Sequence, residues 1–229
     1  MMHNEEYLYL VWKDPQTRRN FTVGKLARGE EYTFTYLEDM SAAENHGWSK
    51  LEAFPEVREY KSKVIFPAFA SRLPDRKRRD LKKILQKYGL EEFDEFELLK
   101  KSGARLPIDT YEFINPIFPD DETVQRDFYV MAIPYSAENT EANCEQLQSV
   151  NVGDLLQFVP EPENDYDPLA IRVVSQDGAH LGYIPRYYNK EILARLNKGM
   201  TYSCEVIEID YDCSTSECIK VRVKMPCDE

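Results

Sequence analysis

The stretch NPIFPDDETVQRD, residues 115–127, constrains this chain more than any other. Pro116 and Pro119 lack a backbone N–H, so neither a helix interior nor a central strand can run through them. An acidic cluster follows at once, which suits an exposed linker. The expected organisation is therefore two modules, 1–118 and 119–229. Charge changes at the same place: residues 1–120 hold 20 Lys and Arg against 21 Asp and Glu, and residues 121–229 hold 9 against 20. At 229 residues the chain is long enough for two small cores. So acidic a second half argues against broad, nonspecific attraction to phosphate backbones.

The first module reads as sheet followed by helices. YLYLVW (7–12), FTVGKLA (21–27) and EYTFTYL (31–37) have the alternation and aromatic content of an antiparallel meander. In PDRKRRDLKKILQKYGL (74–90) Asp75 is predicted to cap a helix that Gly89 ends. Asp94 and Glu97 stand at capping-box spacing for a second helix stopped by Gly103. Trp12 and Trp48 are expected in the core. The second module is mostly strand, with six candidates at 127–135, 154–161, 169–175, 179–185, 201–210 and 218–225, and short helices at 140–150 and 189–199. The fold class is α+β, its second half a six-stranded, partly open, OB-like barrel.

No apolar run approaches the length of a membrane span, and the first residues lack the pattern of a signal peptide, so a cytoplasmic protein is expected. Cys144, Cys204, Cys213, Cys218 and Cys227 are odd in number, and in a reducing compartment they read as free thiols. Cys213 and Cys218 are too far apart for the usual zinc knuckle, and His3, His46 and His180 lie away from them. No metal site or cofactor is predicted.

The chemistry concentrates in VPEPENDYDPLAIRVV, residues 159–174. Glu161, Glu163, Asp165 and Asp167 occupy every second position, beside Asn164 and Tyr166, just before a β-branched run. Pro162 and Pro168 exclude a helix, so this is a loop entering a strand. Three readings stand. Tyr166 and Asp167 fix the loop, or they form a ligand site, or the carboxylates, brought to one side by an extended chain, hold a divalent cation. A second concentration is Arg76-Lys77-Arg78-Arg79 with Lys82 and Lys83, either a solvated helix face or a phosphate contact.

GDLLQFVPEPENDYDPLAIRVVSQDGAHLGYIPR resembles the HIRAN domain, with Gly153-Asp154, the loop Pro162 to Ala170, and Gly182-Tyr183-Ile184-Pro185-Arg186 carrying the match over roughly 126–225. The resemblance implies a module that receives the 3′-hydroxyl end of single-stranded DNA. It implies that Tyr166 stacks on the terminal base, that Tyr135 forms a second aromatic wall, and that Asp167 accepts from the 3′-hydroxyl. Asn164 would touch sugar or base, and Arg186 a phosphate. Arg76, Arg78, Arg79, Lys82 and Lys83 are the further candidates for phosphate. Glu163 and Asp165 stand where the family often has Asn and Pro.

Residues 7–114 resemble the N-terminal subdomain of HipA-type toxins. The opening strands carry the match, with Pro67-Ala68-Phe69 and Leu73-Pro74-Asp75. This implies a module that holds a protein partner, such as a HipA-type kinase. No Gly-rich nucleotide loop, catalytic-loop signature or Walker motif is present, so no catalytic residue is assigned and no enzymatic activity is expected. The combined expectation is a non-enzymatic protein binding nucleic-acid ends. The alternatives are a regulatory, toxin–antitoxin-type interaction protein without a nucleic-acid ligand, and a metal-dependent nuclease built on the carboxylates.

Overall fold

The computed structural model describes residues 6–131, 150–211 and 217–226. The chain divides into two compact units, Met1–Pro116 and Ile117–Glu229. Both combine antiparallel sheet with few helices.

In the first unit, strands β1 (Glu6–Lys13), β2 (Asn20–Arg28), β3 (Tyr32–Tyr36), β4 (Tyr60–Ser62) and β5 (Tyr111–Ile114) form one sheet in the order β4-β3-β2-β1-β5. A bulge between Leu10 and Val11 breaks the alternation of β1, and both residues are buried. Gly24 of β2 lies under the Phe34 ring. A Cβ there would come within 2.6 Å of it, so only glycine allows the ring to close over the sheet. Phe34 in turn meets Phe54 and Phe69, with centroids 4.4 and 5.2 Å away. Trp12 and Trp48 are buried as expected, and Trp48 donates to the Tyr111 hydroxyl at 2.7 Å. Asp14, buried in the β1–β2 turn, accepts from Thr17, the Gln16 N–H and His46. Burial alone would raise its pKa, but these hydrogen bonds hold it down to about 2.

Helices α1 (Met40–Glu44), α2 (Pro67–Ala70), α3 (Leu81–Lys87) and α4 (Glu95–Ser102) complete the unit. The start expected at Asp75 is corrected. Asp75 closes a turn instead, accepting the Lys77 N–H on its side chain and the Arg78 N–H on its carbonyl, and α3 begins at Leu81. The other helix follows its signals. Asp94 caps α4 by accepting the Glu97 N–H at 2.9 Å, and Gly103 ends it with φ 68°. Glu97 turns to Arg28, which also binds Glu6 and Asp94 and lies 4.4 Å over Phe96. Arg72 is nearly buried. It grips both oxygens of Asp109 at 2.6 and 2.9 Å and donates to the carbonyls of Ala104 and Tyr111.

In the second unit, β6 (Val124–Tyr129), β10 (Ser203–Ile209) and β11 (Ile219–Met225) form one sheet in the order β10-β11-β6. β7 (Gln157–Pro160), β8 (Ile171–Val174) and β9 (His180–Tyr183) form another in sequence order. Isolated bridges join them, Met131 to Tyr183 and Leu155 to Glu205. The expected fold is a six-stranded, partly open, OB-like barrel; the described residues form two three-stranded sheets, each seam only one bridge long, and no closed barrel is seen among them. Helix α5 (Arg186–Asn197) follows β9 directly, starting after Pro185, three residues earlier than expected. Residues 140–149 of the helix expected at 140–150, and residues 132–135 of the first expected strand, lie outside the described residues.

Of the cysteines, Cys204 is a buried free thiol whose pKa burial pushes up to about 12. Cys218 is disulfide-bonded, which corrects the expectation of free thiols throughout. Cys144, Cys213 and Cys227 lie outside the described residues. No helix among the described residues is long and apolar enough to cross a membrane.

Candidate nucleic-acid interface

The loop between β7 and β8 is folded into turns rather than extended, and one side chain accounts for this. Asn164 accepts the N–H groups of Tyr166 and Asp167 on Oδ1, at 3.0 and 3.1 Å, and donates through Nδ2 to Glu161 at 2.7 Å. Its own N–H donates to the Glu161 carbonyl, and the Ala170 N–H closes on the Asp167 carbonyl. Asx turns of this kind draw on the short amide side chain and tolerate the flanking prolines.

The four alternating carboxylates therefore do not share a side. Glu161 turns inward, accepting from the Tyr183 hydroxyl at 3.0 Å as well as from Asn164, with Arg172 Nε 3.6 Å away. The Asn164 amide holds the Glu161 carboxyl below its ordinary range, helped by Tyr183 and Arg172. Burial, together with the bond to Glu161, pushes the Tyr183 phenol up. Glu163 and Asp165 are exposed. Asp167 turns toward α5. Its Oδ1 accepts the Leu169 N–H at 2.9 Å, and its Oδ2 accepts from Asn189 Nδ2 at 3.0 Å and lies 3.7 Å from Arg186 Nε. The cation-site reading required carboxylates side by side, and the turns remove that. Among the described residues no group of three His, Cys, Asp or Glu side chains could hold a metal ion.

Tyr166 stands at the loop tip, 89% exposed. Among the described residues its side chain makes no hydrogen bond or ring contact. An aromatic ring held out on a pinned backbone is a platform without an intramolecular use. Arg186, the first residue of α5, is 67% exposed and is the cation next to Asp167. Of the residues expected to meet a ligand, Tyr166, Asp167 and Arg186 are thus gathered on one loop and one helix start. Asn164 has its amide committed to the loop. Tyr135 lies outside the described residues.

Asn189 matters to this geometry and was not singled out in the sequence; Glu161 matters too, and was named there only as one of the alternating carboxylates. A signal for Asn189 existed: it stands three residues before Ile192 on the face that α5 buries, where an apolar residue is the rule.

The basic run in the first unit divides in two. Arg76 pairs with Glu95 at 3.0 Å and lies over Phe93, and Arg78 grips both oxygens of Asp80. Arg79, Lys82 and Lys83 are exposed, with no ion pair among the described residues.

A two-sheet antiparallel unit with an exposed aromatic loop against a helix start is the class this geometry defines. The family model for the HIRAN domain matches residues 126–224, and that for the HipA N-terminal domain matches residues 18–107. Two solved structures are similar over 45% of this chain. One is a crystal structure of a protein from Lactobacillus plantarum, at 21% identity and TM-score 0.35, covered over 96% of its length. The other is the crystal structure of the HIRAN domain of human HLTF, at 15% identity and TM-score 0.33, covered over 74%. Comparison with curated proteins gave no match.

Proposed function

We propose that the second unit binds nucleic acid, and that the loop 161–170 with the start of α5 receives the 3′-hydroxyl end of a single strand of DNA. The observation that carries the reading is Tyr166, almost fully exposed on a backbone that Asn164 pins. The HIRAN match over residues 126–224 supports the ligand class.

In this reading the terminal base stacks on Tyr166, which tolerates any sequence because every base has a π-face. Asp167 retains acceptor capacity on its carboxylate and accepts a hydrogen bond from the hydroxyl of the chain end. Arg186 reaches the adjacent phosphate. The two sheets joined by single bridges serve as an opened, OB-like barrel that presents the loop. The role is binding rather than turnover, in the cytoplasm. For the first unit we propose contact with a protein partner, a HipA-type kinase being the first to test.

A salt titration of binding tests this. The full-length chain should bind a labelled single-stranded oligonucleotide more tightly than its blunt duplex, and log affinity should fall linearly with log salt. Arg186→Ala should make that slope shallower by about one phosphate contact, roughly 0.7 on a single strand. No single-strand binding, or a slope untouched by the substitution, contradicts the proposal.

A further inference from the structure

Asn189 is a polar residue where α5 needs none. It is 3% exposed, between Tyr188 and Ile192, both of them buried. Its Nδ2 donates to Asp167 Oδ2 at 3.0 Å, while its Oδ1 is buried without a hydrogen-bond partner. Turning the amide over would set Oδ1 against a carboxylate oxygen, two acceptors face to face, so the orientation is fixed by chemistry. A buried carbonyl with no partner costs stability, and an apolar residue there would avoid that cost. The helix therefore gains nothing from Asn189 that would offset the orphaned oxygen. The gain falls on Asp167, 22 residues back in the chain.

Asp167 is held on three sides: by the Leu169 N–H on Oδ1, by Asn189 on Oδ2, and by Arg186 at the longer distance of 3.7 Å. An amide donor fixes a carboxylate without cancelling its charge, whereas a closely paired cation would neutralise it. The carboxylate thus keeps its strength as an acceptor and its repulsion toward anions. We propose that Asn189 is the positioning residue for Asp167, and that selectivity for a strand end carrying a hydroxyl depends on it. This inference rests on the reading of the loop as an end-binding site.

A residue that merely ties the loop to the helix would, when removed, weaken every ligand alike. A positioning residue affects the hydroxyl alone, because stacking on Tyr166 does not pass through Asp167. The test uses the full-length chain and two single-stranded oligonucleotides of one sequence, one ending in an ordinary 3′-hydroxyl nucleotide and one in a 3′-deoxy nucleotide. The unaltered chain is expected to prefer the hydroxyl about tenfold. Asn189→Ala should lose most of that preference, with the hydroxyl strand weakened about tenfold and the 3′-deoxy strand unchanged within about twofold. Asn189→Ser, which keeps a shorter donor, should restore part of it. Circular dichroism establishes folding. Should the alanine variant not fold, Asn189→Leu, which fills the apolar surroundings without a donor, replaces it with the same expectation.

A full preference in the donorless variant, an equal loss for both strands, or a serine variant no better than alanine overturns the role of Asn189. If the unaltered chain binds both ends alike, the hydroxyl reading falls first and this inference falls with it. The two failures are thus read from different proteins in the same experiment.

Discussion

Tyr166→Ala is expected to weaken single-strand binding by roughly ten- to a hundredfold while leaving the melting temperature unchanged. The two halves of this expectation have separate grounds. Stacking of a base on an aromatic side chain is worth about 1–3 kcal/mol by alanine substitution. Tyr166 is 89% exposed and among the described residues its side chain makes no hydrogen bond or ring contact, so the folded state gains almost nothing from it. Surface substitutions of this sort stay within about 0.5 kcal/mol. The loop keeps its shape in the variant, because Asn164 holds the backbone N–H of residue 166 whatever side chain it bears. Anisotropy titration and calorimetry on the same sample separate the two quantities. Tyr166→Phe should bind nearly as well as tyrosine, since the ring and not the hydroxyl is used. A variant that melts lower and binds as before would make Tyr166 a structural residue.

Asp109→Ala is expected to be the most destabilising single change on the surface of the first unit, costing about 3 kcal/mol. Arg72 is 8% exposed and loses both of its short ion-pair contacts in this variant. Removing one partner of a buried pair leaves an uncompensated charge, at a cost of about 3–5 kcal/mol. The lower end applies because Asp109 itself is 27% exposed and water can enter in its place. The carboxylate also accepts the Tyr111 N–H at 3.1 Å, so the start of β5, the edge strand, loses an anchor. Burial alone would raise the pKa of Asp109, but Arg72 lowers it, which keeps the pair charged through the neutral range. Urea denaturation reads the difference. A cost under about 1 kcal/mol would mean that the Ala104 and Tyr111 carbonyls and water suffice for Arg72.

What was legible in the sequence was local. Strands β1, β2 and β3 of the first sheet and the helix Glu95–Ser102 follow from alternation, from Asp94 and Glu97, and from Gly103. What was not legible depends on distant chain. β5 has four residues, and only its pairing with β1, Tyr9 opposite Ile114, makes it a strand. The short β4 and the single-turn α1 and α2 likewise carry too little periodicity of their own. Asp75 has the composition of a cap, but the helix it should open is deferred by the turn it makes with Lys77 and Arg78.

The site divides along the same line. Tyr166 and Asp167 stand out in the sequence as an aromatic and an acid in a turn, whereas Arg186 was named only through the HIRAN resemblance. The period-two spacing of the carboxylates suggested one shared side, and Asn164 cancels that by folding the loop around its amide. The same bonds commit the Asn164 amide to the loop. Asn189 was out of reach because its meaning comes from the packing of α5 against a loop it does not adjoin.

The most direct measurement is the affinity of the full-length chain for one single-stranded sequence prepared with a 3′-hydroxyl and with a 3′-phosphate. In the proposed reading Asp167 receives the chain end, and Glu163 and Asp165 are exposed on the same loop. A hydroxyl donates to such a carboxylate, whereas a phosphate faces it charge against charge. The account predicts that the hydroxyl end binds at least about tenfold more tightly, and that Asp167→Ala brings the two ends together. Equal affinity for both ends in the unaltered chain would contradict it, and would leave the loop as a fixed surface for some other partner.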